Sequence, residues 1–480
     1  MCLLLNEFMK KKRNFTEGSI LKALLSLSVP IVLANFFQIA YNLTDTFWVG
    51  RLGTEAVAAV SVSFPIIFLI ISFVAGISMA GTILVAQYKG KKSQEAINHI
   101  SAQTLMIISG MAIVLSGLGY LVSPILIRLM RVDTAVLAQA ISYMRISFIG
   151  VVFMFIYAAF QSLMRGVGNV KMPMFIILGT VLLNLGLDPL FIFGFGPVPA
   201  LGVAGAALAS TVTEFLSALI AVIILFAGKE GININFNQFK PDFKLMKKMF
   251  LLGWPSSLEQ STRALGFTVV TFLVTGFGTL ALASYGIGTR ILSFILIPVM
   301  GLSMAASTLV GQNIGSGKIK RAERTAKLSL IISFIGLTVA GILLFIFAEP
   351  IARLFVPGEI ATIQTTATFL RIISFSLGFV GVQQTIKGIF RGAGDTLAAM
   401  MLSLIFLWGL RFPLVYFLSH YTSLGLQGVW WAFPISNILA AVIAMFWFSF
   451  GTWKKRKLTE KIKLEDAVAE EVDVIGELND

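Results

Sequence analysis

Nine ionisable side chains interrupt otherwise apolar stretches of this 480-residue chain: Asp45, Arg145, Asp188, Glu214, Glu259, Arg263, Arg290, Arg371 and Arg411. Charge at bilayer depth costs several kcal/mol, so each is a functional hypothesis by default. Tyr41 precedes Asp45 by one helical turn and Asn184 precedes Asp188 by one turn, which puts each pair on one helix face. Ser210, Thr211, Thr213 and Glu214 follow on a neighbouring stretch. Two carboxylates with amide and hydroxyl oxygens make a plausible Na⁺ site at Asp45, Asp188 and Asn184, since hard cations take oxygen ligands. The same pair could carry a proton instead, because two adjacent acids do not both stay ionised unaided. The bland alternatives are a structural acceptor at Asp45 and a helix end at the Asp188–Pro189 step. Glu214 either faces a polar cavity or pairs with an arginine; it and Glu259 are the candidates for a substrate cavity. Glu259 and Arg263 are spaced i, i+4 and could neutralise each other. Pro30, fifteen residues before Asp45, permits a bend or marks a static kink.

Such residues need apolar helices to hold them. The chain is 57% hydrophobic and 12% charged, about half the charge a soluble domain carries. No Asp, Glu, Lys or Arg occurs in 56–88, 96–127, 264–289 or 412–453, each longer than the ~20 residues that cross a bilayer core. A soluble fold and disorder are both excluded. The expected architecture is all-α, with twelve transmembrane helices at about 20–48, 55–82, 95–122, 135–164, 172–194, 201–227, 246–275, 280–309, 322–347, 361–390, 396–418 and 425–452.

Sidedness comes from the cations. Of 37 Lys and Arg, 28 fall on the side that holds both termini, four on the other and five within spans. Lys387 and Arg391 are counted among the 28 loop cations. The positive-inside rule then makes both termini cytoplasmic, in the plasma membrane. The net charge of +14 lies in short loops without aromatic interleaving, so it does not point to nucleic acid. Cys2 is alone and the only histidines are His99 and His420, which leaves redox and transition-metal chemistry little to work with. No cofactor is expected beyond a coupling ion, H⁺ or Na⁺. GQNIGSGK at Gly311 lacks the first glycine and the Ser/Thr of a phosphate loop, so an ion gradient rather than nucleotide hydrolysis is the expected energy source.

The chain also repeats itself at an offset of 223–226 residues. RLGT at Arg51 pairs with FGTL at Phe277, VAQYKGKK at Val85 with VGQNIGSGK at Val310, RGVGN at Arg165 with RGAGD at Arg391, and LGVAG at Leu201 with LGLQG at Leu424. Pro30 pairs with Pro255 and Arg145 with Arg371. Two pseudo-symmetric six-helix bundles follow: lobe 1–227, a cytoplasmic linker 228–245, lobe 246–457, and an acidic cytoplasmic tail 458–480. At the repeat offsets Asp45, Asn184 and Asp188 fall on Val270, Trp408 and Phe412, so the polar cluster has no counterpart in the second half.

These features together resemble the multidrug and toxic compound extrusion (MATE) transporters. The stretches that carry the likeness are LTDTFWVGRLG around Asp45, VAQYKGKK, RGVGN, NLGLDP around Asp188, LGVAGAALAS at Leu201 and LGWPSSLEQS at Leu252. The resemblance implies two six-helix lobes forming a V and export of cationic amphipathic compounds in exchange for Na⁺ or H⁺. Of the family's branches, the archaeal and DinF-like one is the nearer, with its ion site in the first lobe. Its residues fall on Asp45, Tyr41, Asn184, Asp188 and Ser210, with a further polar position on or near Gln161. The acid that the norfloxacin-exporter branch has in span ten is missing, and Glu259 sits a turn early in span seven. The expected partners are small cationic substrates and the bilayer, with the chain a monomer. A flippase for a lipid-linked oligosaccharide is the rival reading, favoured by a groove lined with cations rather than acids. A membrane-embedded enzyme finds no nucleophile–base or metal motif to support it.

Overall fold

The computed structural model describes residues 14–228, 230–456 and 458–459. The basic run 10–13, Lys229 and the acidic tail from 460 onward lie outside the described residues. Helices dominate: α1 Ile20–Gly50, α2 Thr54–Gly90, α3 Gln94–Leu129, α4 Thr134–Val167, α5 Lys171–Phe193 and α6 Val203–Ala227 in the first half. The second half holds α7 Phe243–Thr275, α8 Thr279–Gly315, α9 Ile319–Ile346, the short α10 Ala348–Phe355, α11 Ile360–Ser374 and α12 Leu377–Ala393. It closes with α13 Thr396–His420 and α14 Leu426–Ser449.

Ten of these helices are long and apolar enough to cross a bilayer, and α11 with α12 makes an eleventh. Helix α7 is the remaining span of the twelve. At 33 residues it has the length, but Lys244, Lys247, Lys248, Glu259 and Arg263 make it more polar than the others. Two spans depart from the continuous helices expected. The tenth is broken, α11 and α12 meeting at 58°. Ser376 sits at the break, donating to the Ile373 carbonyl at 2.9 Å and accepting from Asn437 at 2.9 Å, which occupies polar groups the bend releases. Helix α13 widens into a π-helical stretch over Ile405–Arg411.

The repeat has a direct geometric expression. Gly168 and Gly394, equivalent in the two halves, take φ of 89° and 88° after α4 and α12, the left-handed conformation that costs glycine nothing. Each helix end is closed identically, with Asn169 N–H on the Met164 carbonyl and Asp395 N–H on the Phe390 carbonyl, both at 2.8 Å. The RGxG motif is therefore a helix terminator used twice.

The halves are joined on the side where α1 begins, here the entry side. At the entry-side ends of α2 and α8, Gly90 lies against the Gln312 backbone and Gly315 against the Gln87 backbone, leaving no room for a Cβ at either. The two glutamines reach across reciprocally. Gln87 Nε2 donates to the carbonyls of Gly392 and Ala393 at 3.4 and 3.2 Å. Gln312 Nε2 donates to the Gly166 carbonyl at 2.9 Å. Equivalent residues thus make equivalent bonds in opposite directions, as a twofold axis along the membrane normal requires. The 228–245 connection packs onto α3: Gln103 donates to the carbonyls of Gln238 and Lys240 at 3.0 and 2.7 Å. Asp242 caps α7 through the Leu245 N–H at 2.9 Å and meets His99 at 3.1 Å. Partial burial by itself would raise the Asp242 carboxyl, but the Leu245 N–H and His99 outweigh it and hold it below the usual carboxylate range.

Candidate functional site

Asp45 lies five residues before the end of α1, Asp188 five before the end of α5, and Ser210 is the eighth residue of α6. At 1.5 Å per residue all three are about 8–10 Å from the far-side helix ends, so three helices bring them to one level. Asp188 and Asn184 are fully buried and Tyr41 is buried. Ser210 Oγ donates to Asp45 Oδ2 at 3.3 Å, and Asn184 Nδ2 donates to Asp188 Oδ1 at 3.0 Å. The Tyr41 hydroxyl meets Thr213 Oγ1 at 3.1 Å. The two carboxyl groups are close enough to interact across α1 and α5.

Oxygens are in surplus there. Asp45 Oδ1, Asp188 Oδ2 and Asn184 Oδ1 are buried with no donor among the described residues. Buried carboxylate and amide oxygens are costly to leave unsatisfied, so the cluster has the chemistry of a site for a proton or a hard cation. Tyr143 of α4 stands close enough to interact with Asp45, Glu214 and Asp188. Sequence reasoning missed it, and a turn-spaced polar partner was the only signal: Ser147 lies one turn on. Glu214 sits in the α4–α6 interface, where a Cβ on Gly150 would be 2.8 Å from its Oε2. It pairs with no arginine among the described residues. Gln161, half-buried on α4, makes no hydrogen bond among the described residues. Pro30 is buried inside α1, which runs through it as one helix.

The second bundle holds a cluster of opposite sign. Glu259 is 1% exposed and is enclosed by three cations. Arg391 Nη2 and Nε bond to it at 2.6 and 3.2 Å, Arg263 Nη2 at 3.3 Å and Lys387 Nζ at 3.6 Å, with Ser403 Oγ donating at 2.9 Å. Mutual neutralisation of Glu259 and Arg263 is thus only part of the arrangement. Lys387 and Arg391, expected in a loop, turn inward from α12 instead; Lys387 is 3% exposed. Glu259 borders a cleft between the bundles, but its oxygens are taken by cations and offer nothing to a cationic drug. Further along, Arg411 is buried with no carboxylate paired to it among the described residues. It donates to Ser436 Oγ and Asn437 Oδ1, both at 2.7 Å, and lies 4.1 Å from the Phe433 ring centroid.

Comparison with known proteins agrees with this geometry. The family model MatE matches residues 30–190 and 255–417, once in each half. The chain is 30% identical to "Probable multidrug resistance protein YoeA" of Bacillus subtilis over 93% of its own length and 97% of that protein. Among solved structures, one described as "Crystal structure of MATE in complex with MaL6" aligns with a TM-score of 0.86 at 25% identity, covering 93% of this chain and all of that one (100%). Another, from Pyrococcus furiosus, aligns at 0.85 and 25% identity with coverage of 93% and 100%. It is described as "Reverse polarity of binding pocket suggests different function of a MOP superfamily transporter". With both halves matched and the twelve-span, two-bundle fold shared, this chain belongs to the MatE family.

Proposed function

We propose that the chain is a multidrug exporter of the plasma membrane, an antiporter that expels cationic amphipathic compounds in exchange for H⁺ or Na⁺ by alternating access. The observation that carries this reading is the half-buried Asp45 beside the fully buried Asp188, with one oxygen of each and the Asn184 amide oxygen lacking a donor among the described residues. Asp45, Asp188 and Asn184 would hold the ion, with Tyr41 and Ser210 ordering the acids and Gln161 in reserve on α4. A bound H⁺ or Na⁺ would cancel one of the pair's two negative charges; its release would leave two acids repelling each other across α1 and α5. A ligand shifts a two-state equilibrium only through its different affinity for the two states. Repulsion that α1 relieves by moving at Pro30 would supply that difference. The relative's printed name supports drug export.

Purified protein in liposomes, loaded with a cationic dye and given a Na⁺ or proton gradient, tests the reading. Dye movement that follows either gradient supports it, and movement indifferent to both overturns it. The orientation proposed places both termini and the 228–245 linker in the cytoplasm, with the chain acting as a monomer. Single cysteines near Gly53 or Leu201 should then react with an impermeant reagent outside the cell, and cysteines near Lys91 or Lys318 should not. A flippase for a lipid-linked oligosaccharide is the second reading. The cation-rich cleft beside Glu259 favours it, as does the reversed pocket polarity described for the Pyrococcus furiosus relative. Dye transport that responds to neither gradient while a lipid-linked sugar is moved would select it.

A further inference from the structure

The cleft beside Glu259 carries charge that the cation-export reading does not use. Its volume is about 60 Å³, and it lies between α2 of the first bundle and α7, α8 and α12 of the second. Arg263, Lys387 and Arg391 surround a single carboxylate, so the two arginines alone already outnumber it in charge. Glu259 is the seventeenth of the 33 residues of α7, about 24 Å along the helix and so near its midpoint. The three cations share this one carboxylate, and no second carboxylate among the described residues lies within ion-pair distance of them. Arg263 is 38% exposed at its side chain, so guanidinium donors remain for a ligand. Ser256 Oγ, also on the cleft wall, is buried with no hydrogen-bond partner among the described residues.

A further cation approaches from the first bundle. Arg165, the repeat equivalent of Arg391, points its Nη1 at Met304 Sδ at 3.4 Å, while its Nε is buried without a partner among the described residues. A thioether is a weak acceptor and does not balance a guanidinium. Met79, Met300 and Met304 line the same cleft and give it an apolar wall that can adapt to different shapes. Planar, charged donors beside a flexible apolar wall match a ligand with an anionic head and an apolar body.

We propose that this inter-bundle cleft is an anion subsite, binding the phosphate or carboxylate of an amphipathic small molecule through Arg263 and Arg391. The phosphate of an anionic lipid headgroup has the same chemistry and is the alternative source. The proposal is independent of ion coupling in the first bundle.

Full-length protein in phosphatidylcholine nanodiscs, titrated with flavin mononucleotide and with riboflavin, tests it by fluorescence quenching. The two probes share a ring system and differ by the phosphate. The mononucleotide should bind at least about tenfold more tightly, the range of one charge-assisted hydrogen bond. Arg263→Gln should remove most of that difference and leave riboflavin unchanged, in protein that elutes and melts like the wild type. Should that variant not fold, Arg263→Lys is read instead and should lose part of the preference. In discs containing phosphatidylglycerol, unchanged mononucleotide affinity assigns the site to soluble anions, and competitive loss assigns it to the lipid headgroup; both support an anion site. Equal affinity for the two flavins, no binding of either, or a preference that survives both Arg263 variants would overturn it. The titration uses no gradient, so failure of ion coupling leaves this readout intact, and absence of flavin binding leaves the coupling proposal standing.

Discussion

In the first bundle, Asp45, Asp188 and Glu214 lie among hydroxyls and amides, with no cation bonded to them among the described residues. At the equivalent places in the second bundle, Val270 is buried in an apolar core and Trp408 and Phe412 stack edge to face at 4.8 Å, while the neighbouring Arg411 is held by neutral groups. Its ionic cluster lies elsewhere, toward the entry side, and is net positive. The bundles nevertheless share their helix terminators and their reciprocal glutamine crossing. Close crossings are specified by small residues and backbone geometry, which tolerate no Cβ and so persist in both halves. Charge is specified residue by residue, so it can diverge while the scaffold stays symmetric.

The contrast is broken most directly at the acids. Asp45→Asn or Asp188→Asn keeps the size of the side chain but removes its charge, and gradient-driven dye export should fall to background while the protein still inserts. Wild-type export by Asp45→Asn would reduce that residue to a structural acceptor.

Glu259→Gln should behave oppositely. It leaves Lys387, Arg391 and the partly exposed Arg263 facing a neutral amide, which should cost about 3–5 kcal/mol of stability. The expected result is a lower melting temperature with the ion response of transport retained. An unchanged melting temperature, or a lost ion response, would show that the second bundle's acid has been misread.

Shared features should give equal effects in both halves. Gly90→Ala and Gly315→Ala each drive a methyl into the partner's backbone, and overpacking of this kind costs about 1–3 kcal/mol. Both should loosen the entry-side contact to a similar degree, read as faster labelling of a cysteine placed at Gly311. A large difference between them would show that the crossing is not symmetric in energy.

The smallest effect belongs to the apolar counterparts. Val270→Ala should cost about 1–2 kcal/mol for the lost packing, and Phe412→Leu less. Ion dependence should stay intact in transport assays of both. Loss of it in either would place a coupling element in the wrong bundle.

Much of this molecule is legible in one dimension. Apolar run lengths locate the spans because a helix rises a constant 1.5 Å per residue through a bilayer of fixed thickness. The two-bundle repeat is legible because turns and close crossings demand particular residue types at particular positions. The first acid cluster is legible too: a carboxylate inside an apolar run is conspicuous, and its partners at Tyr41 and Asn184 are one turn away. Lys387 and Arg391 were not, because a cation near the end of a span reads as a loop residue whether it faces water or the interior. Their pairing with Glu259 joins positions 128 and 132 residues apart. That contact depends on how α12 is rotated about its axis, on the 58° break that sets its direction, and on how closely α7 approaches it. Sequence determined which helices exist and where charge could be afforded. Only the packing of those helices decided which charges meet, because rotation and approach are set by the summed contacts of whole surfaces and not by the spacing along any one of them.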